Sequence, residues 1–252
     1  MRRLKLLIII LIATTSIFAQ KENLLSTFEQ ANIEYADENF EQAINKYESV
    51  VEKKYESAEL YYNLGNAFFK QNNIPKAIVN YERAYRLSPN DEDIKHNLEH
   101  ANLFVQDEFT KVPDFILDRI YHGVVHVLGS NTWALISINT FILGLTVFLI
   151  FLFSKIVSRR KLAFFFSILL MMFSIITFSF SAESKKQITE PNAAIIMEIS
   201  TIKSSPENDG TDLYILNPGV KVGIKSINND WYEVKLPNGK IGWIQKNVVE
   251  II

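Results

Sequence analysis

The sequence predicts a multidomain chain: an all-α repeat solenoid, then two transmembrane helices, then a small all-β barrel. Three observations lead there. Equivalent residues recur at one fixed interval through the N-terminal part, two long runs in the middle carry no charge, and short β-favouring runs broken by turn residues fill the end.

The bulk numbers exclude several classes. The 252 residues hold 26 Lys+Arg against 28 Asp+Glu, so net charge gives no case for nucleic acid as a partner. Residues 20–109 are distinctly acidic, with 9 Lys+Arg against 17 Asp+Glu, or −8. Such a segment favours neutral or basic protein surfaces. With no cysteine in the chain, disulfides, thiolate metal sites, cysteine nucleophiles and a lipid-modified N-terminal cysteine are excluded.

Residues 1–19 read as a secretory signal peptide. Arg2, Arg3 and Lys5 precede the apolar run Leu6–Ala13, and Ala19 offers a small residue for cleavage, with Ile17 at the −3 position. The run is too short to span a bilayer, which takes about 20 residues. Arg2–Arg3 lacks the rest of a twin-arginine signal and reads as an ordinary basic leader.

Residues 20–109 form the repeat domain, about 2.5 repeats. Phe40 and Ile74, Ala43 and Ala77, Ile44 and Ile78, and Tyr47 and Tyr81 are pairs 34 apart. The second copy reads Tyr61-x2-Leu64-Gly65-x2-Phe68, then Ala77-x3-Tyr81, Ala84 and Pro89. Small residues at Gly65 and Ala77 let two helices approach, the larger ones fill the seam, and Pro89 ends the second helix. The first copy has Ala31 in place of the glycine, and the half-repeat from Asp91 reads as a cap. These residues resemble the tetratricopeptide repeat pattern. That resemblance implies a concave groove lined by the first helix of each hairpin. Rows Asn32, Asn66, His100 and Glu29, Asn63, Asn97 would then face a bound protein segment. Carboxamides can pair with an extended backbone, and Lys70 can meet a carboxylate. The candidate peptide-binding residues are Asn32, Asn63, Asn66, Lys70, Asn97 and His100.

Residues 110–131 predict an amphipathic helix lying at a membrane interface. Ile116, Leu117, Ile120, Tyr121, Val124 and Leu128 make an apolar stripe, with Asp114, Asp118, His122 and His126 opposite. Asp118, His122 and His126, and separately His96 and His100, have a spacing open to metal ligation. Neither set has the glutamate of the zinc-protease motif, and both read as polar helix faces. Residues 132–153 and 162–181 are uncharged and long enough to cross a bilayer. The loop 154–161 carries Lys155, Arg159, Arg160 and Lys161 with no acid, which marks it as cytoplasmic and places both chain ends outside. A linker, 182–191, follows.

Residues 192–252 predict five strands, at 194–199, 213–216, 220–227, 231–236 and 240–244, punctuated by Asn217-Pro218-Gly219, Asn228-Asn229-Asp230 and Pro237-Asn238-Gly239. Ser204-Ser205-Pro206, Gly219, Trp231-Tyr232-Glu233-Val234 and Gly242-Trp243-Ile244 resemble bacterial SH3-like domains. In such domains the resemblance implies a peptide or cell-wall ligand, or a rigid adaptor. Trp243 reads as core, while Tyr214, Trp231 and Tyr232 are the candidates to line a partly exposed groove.

No phosphate loop, dinucleotide glycine pattern or nucleophile elbow is present. No catalytic residue, metal or cofactor is expected. The order of segments resembles the BatE proteins of the Bacteroides aerotolerance operon in Bacteroidetes. That resemblance implies an inner-membrane protein with periplasmic soluble parts and a role in oxidative or envelope stress. It also implies partners among products of the same operon, including membrane proteins with von Willebrand A-type domains. The function expected is a membrane-anchored protein-interaction scaffold. The competing expectation is a peptidoglycan tether acting through the SH3-like domain.

Overall fold

The structure is a computed structural model that describes residues 22–107, 109, 115–189 and 193–252. The expected signal peptide, 1–19, lies outside the described residues. The chain divides into two compact units, one of Met1–Lys111 with Asn192–Ile252, the other of Val112–Pro191.

In the first unit, α1 (22–36) and α2 (Phe40–Glu52) form one hairpin, α3 (Ala58–Lys70) and α4 (Ile74–Leu87) a second, and α5 (Glu92–Asn102) stands alone. The interval that repeats in sequence repeats in backbone geometry. Glu38 and Asn72 occupy the hairpin turns at φ 63° and 60°. The Asn39 N–H then donates to Glu34 O, and the Asn73 N–H to Phe68 O, each at 2.9 Å. A left-handed residue after the last helical turn closes the orphan carbonyls this way. Ser57, Asn73 and Asp91 cap the N-termini of α3, α4 and α5 through side-chain oxygens. Between helices the contacts are as close as small residues allow. A Cβ on Gly65 would come within 2.7 Å of the Tyr81 ring, while Ala31, Ala43, Ala67 and Ala77 are fully buried.

The C-terminal part is one antiparallel sheet of seven strands: β1 (Ala193–Ile196), β2 (Ser200–Lys203), β3 (Asp212–Leu216), β4 (Lys221–Asn228), β5 (Trp231–Lys235), β6 (Ile241–Gln245) and β7 (Val249–Ile251). Their order is β3-β2-β6-β5-β4-β1-β7. The sheet is not closed into a barrel: β3 and β7 are its two edges, and β2 joins β6 through the single pair Lys203–Trp243. Five strands were expected. The first expected strand, 194–199, corresponds to β1 alone, and β2 and β7 were unforeseen because runs of four and three residues carry little usable alternation. A register shift between Ile224 and Ser226 marks an irregularity in β4.

Helical repeat and sheet, expected as separate domains, belong to the same unit. Ala193, Ile195 and Ile252 share a buried cluster with Leu64, Phe68 and Ile78, and Val105 packs against both this cluster and the sheet's own core. Polar contacts close the seam. Arg83 donates to Ile251 O at 2.9 Å and pairs with Glu250 at 3.0 Å, and Lys221 pairs with Glu82 at 2.6 Å. The Asp107 carboxylate accepts from the Asn217 backbone N–H at 2.6 Å. Gly219, at φ +95°, gives the turn its close approach, since a Cβ there would lie 2.9 Å from Val105.

The second unit holds α6 (Ile116–Val127), α7 (Ser130–Phe153) and α8 (Val157–Thr189). The last two are long and apolar enough to cross a membrane. They pair antiparallel through reciprocal serine bonds, Ser137 with Ser174 and Ser130 with Ser181, and through Gly144 against Leu170 and Met171. The connecting loop is shorter than expected: α8 begins at Val157, so Arg159, Arg160 and Lys161 sit on its first turns, with Arg160 over the Phe151 ring at 5.6 Å. The helix also runs on through most of the expected linker. Trp133 ties α6 to α7 by donating to Val125 O at 3.1 Å.

Gly219→Ala should destabilise the first unit by about 1–3 kcal/mol, from backbone strain and the clash with Val105. Thermal unfolding followed by circular dichroism should show helix and sheet lost in one transition at a lower temperature.

Candidate protein-binding groove

Each repeat contributes the same polar constellation. Asn32 Oδ1 accepts from the Tyr47 hydroxyl at 2.7 Å and from Asn63 Nδ2 at 3.1 Å. One repeat later, Asn66 Oδ1 accepts from the Tyr81 hydroxyl at 2.7 Å and from Asn97 Nδ2 at 2.9 Å. Asn97 also donates to the Tyr62 hydroxyl at 3.0 Å. The two rows are therefore joined by their asparagines, which crosslink α1 to α3 and α3 to α5. In this orientation each of the Asn32 and Asn66 oxygens meets two donors. It leaves the Nδ2 protons of Asn32 and Asn66 without an intramolecular partner among the described residues.

Tyr81 was expected only to fill the seam, and Tyr47 entered only as its counterpart one interval earlier. Their hydroxyls anchor the ladder, and the signal was available: Tyr47 and Tyr81 keep the same interval as Asn32 and Asn66. Burial pushes both hydroxyls well above the usual tyrosine range, with nearby tyrosine and glutamate charge adding to the effect at Tyr47.

The other two candidates stand apart from this network. Lys70 is the exposed last residue of α3. His100 takes the third place in the Asn32 row but joins no asparagine. Its exposed ring lies 5.3 Å from Phe69 and 5.5 Å from Phe104, and parallel to His96 at 6.5 Å. Together these rings make an apolar end to the row, which the sequence did not suggest. For the histidines of α6, His122 and His126, the side chains lie outside what is described.

In the sheet, the expected groove residues separate. Trp231 and Tyr232 are each only 8% exposed, which corrects their assignment as partly open. Tyr232 alternates with Val234 on the inner face of β5, a strand flanked on both sides, and Lys246 covers its ring at 5.3 Å. Trp231 stands opposite Asn228 and Gln245 on the two neighbouring strands. Tyr214 is half-buried beneath Lys240, 4.4 Å from its ring centre. Trp243, expected in the core, is half-buried on the outer face because β6 turns Gly242 and Ile244 inward.

A cleft of about 290 Å3 is lined by Glu48 and Glu52 of α2, Lys76, Asn80 and Arg83 of α4, and Glu250 of β7. Its cations are already paired, Lys76 with Glu48 at 3.7 Å and Arg83 with Glu250.

A tetratricopeptide repeat family model matches residues 28–92, from within α1 to the start of α5. No curated protein matches the chain.

Asn66→Ala strands the Tyr81 hydroxyl and one Asn97 N–H, and should cost about 1–3 kcal/mol in chemical denaturation. The two tyrosines also set an alkaline limit. Their folded pKa values are raised, so the unfolded chain releases these protons first. The stability they lend is complete below about pH 10 and is lost as pH climbs further. Denaturation midpoints measured at pH 8 and pH 11 should fall in that order, and Tyr47→Phe should reduce the drop.

Proposed function

We propose that this chain is a membrane-anchored, non-enzymatic scaffold whose repeat groove holds an extended segment of a partner protein. The observation that carries the proposal is the asparagine ladder. Its oxygens are consumed internally, so Asn32 and Asn66 present fixed N–H donors one repeat apart, suited to the carbonyls of an extended backbone. The exposed Lys70 and the Phe69–His100–Phe104 rings supply a cation and an apolar contact beside it. The match to the tetratricopeptide repeat model over residues 28–92 points the same way.

The membrane reading rests on α7 and α8 and on the way the chain returns. Repeat and sheet share one core, which fits a pair of spans that returns the chain to the side it left. Four cations at the hairpin tip favour a cytoplasmic tip, and so a periplasmic repeat and sheet. On this reading 1–19 is a signal peptide, 20–109 and 192–252 are the two soluble segments, and 110–131 rests at the interface. The resemblance to the BatE proteins adds an inner-membrane setting and envelope-stress duty, with partners carrying von Willebrand A-type domains. The resemblance of 192–252 to SH3-like domains supports an adaptor role for the sheet. With Trp231 and Tyr232 buried, a peptidoglycan tether has little aromatic surface to work with.

The absence of cysteine makes topology simple to map. Single cysteines at Asn72 and Asn238 should react with an impermeant maleimide added outside the inner membrane, and one at Ser158 only after permeabilisation. The reverse pattern would invert the topology. For the groove, Lys70→Glu is the informative change, because the asparagines also hold the fold. It should remove most envelope proteins crosslinked to the wild type, with an unchanged melting temperature. Recovery of the same proteins would reject the groove as their site.

A further inference from the structure

One face of α7 is left open by its pairing with α8. Trp133, Ser137 and Gly144 turn towards α8. Leu135, Asn139, Ile142, Thr146, Leu149 and Phe153 are all exposed. Their spacing alternates four and three residues, the heptad rhythm of a helix seam, with Asn139 at an a position. Within 132–153 Asn139 is the only carboxamide, and no residue there is charged.

Asn139 also differs from the other polar side chains of the pair. The hydroxyls of Thr140, Thr146, Thr177 and Ser179 bond to carbonyls of their own helix, and Ser137 and Ser174 bond to each other. Asn139 Nδ2 donates to Leu135 O at 2.7 Å. Its Oδ1 and second amide proton have no partner among the described residues. It lies about 14 Å along the helix from Ser130, well inside a hydrocarbon core about 30 Å thick, where no water can satisfy it.

We propose that this face is a homodimer seam, in which α7 packs against α7 of a second copy and the two Asn139 carboxamides bond to each other. The proposal rests on the membrane-spanning reading above. Copies inserted by the same route share an orientation, so their α7 helices run parallel. A two-fold axis along the membrane normal then sets every residue opposite its own equivalent at the same depth. A carboxamide is donor and acceptor at once, so it is complementary to itself. A different partner would need a polar group at that same depth. A single asparagine at an a position is also the device that fixes register and strand number in such seams.

The full-length protein, labelled at Asn229→Cys, is reconstituted into phosphatidylcholine–phosphatidylglycerol vesicles, and energy transfer is read as lipid dilutes the protein. A dimer signal is expected. Asn139→Leu should weaken association about tenfold, and Asn139→Gln should stay within about threefold of wild type. Ile142→Cys should form an intermolecular disulfide, whereas Phe166→Cys on α8 should not. If the protein floats with the vesicles but shows no transfer, or Asn139→Leu associates as the wild type does, the seam is wrong and the anchor stands. Failure to float with the vesicles overturns the anchor and the seam together.

Discussion

The seam between helix and strand governs the first unit. Arg83 reaches from α4 to the carbonyl of Ile251 and the carboxylate of Glu250, while Ala193, Ile195 and Ile252 enter the same core as Ile78 and Phe68. Without that contact the repeat would be a short stack with one uncovered side, and the sheet would be two open edges with a small core. Joined, each supplies what the other lacks. The contact also brings together two stretches of chain that 112–191 separates in sequence.

The sequence disclosed those parts of the fold whose cause is local. Gly65, Ala77 and Tyr81 repeat the spacing of a helical hairpin because each packs against a residue in the same or the next helix. The two apolar helices follow from composition alone, and the turns at Gly219 and Gly239 were marked by residues that tolerate positive φ. What stayed hidden is nonlocal. Lys221 and Glu82, or Asp107 and Asn217, carry no mutual signal across more than a hundred residues. The number of strands was missed because β2 and β7 are short, polar or both. Barrel closure cannot be inferred from alternation in single strands, which says which face is buried but not which strand lies beside which.

The candidate groove was half legible. The asparagine rows were visible from their interval, but not that Asn32 and Asn66 spend their oxygens inward. That fact came with Tyr47 and Tyr81, the latter assigned only to packing. A hydroxyl on a buried ring needs a partner, and counting those obligations would have linked the rows. Trp231 and Trp243 exchanged places for a different reason. The two lie on the same face of the sheet, since Trp231 pairs with Gln245 and Glu233 with Trp243, and alternation along a strand does not say how far neighbouring side chains cover each of them.

The order in which the chain is made bears on that same seam. Arg83 and its acceptor Ile251 are 168 residues apart, so at about 5–20 residues per second synthesis separates them by roughly 8–34 s. For that long Arg83 waits for its acceptor and Ile78 for Ile252, while Val105, Ala193 and Ile195 of the same cluster emerge earlier. Biogenesis of this protein therefore includes a stage with a bare apolar flank, open to holdase chaperones or to the wrong neighbour. Completing the last strand is what ends that exposure.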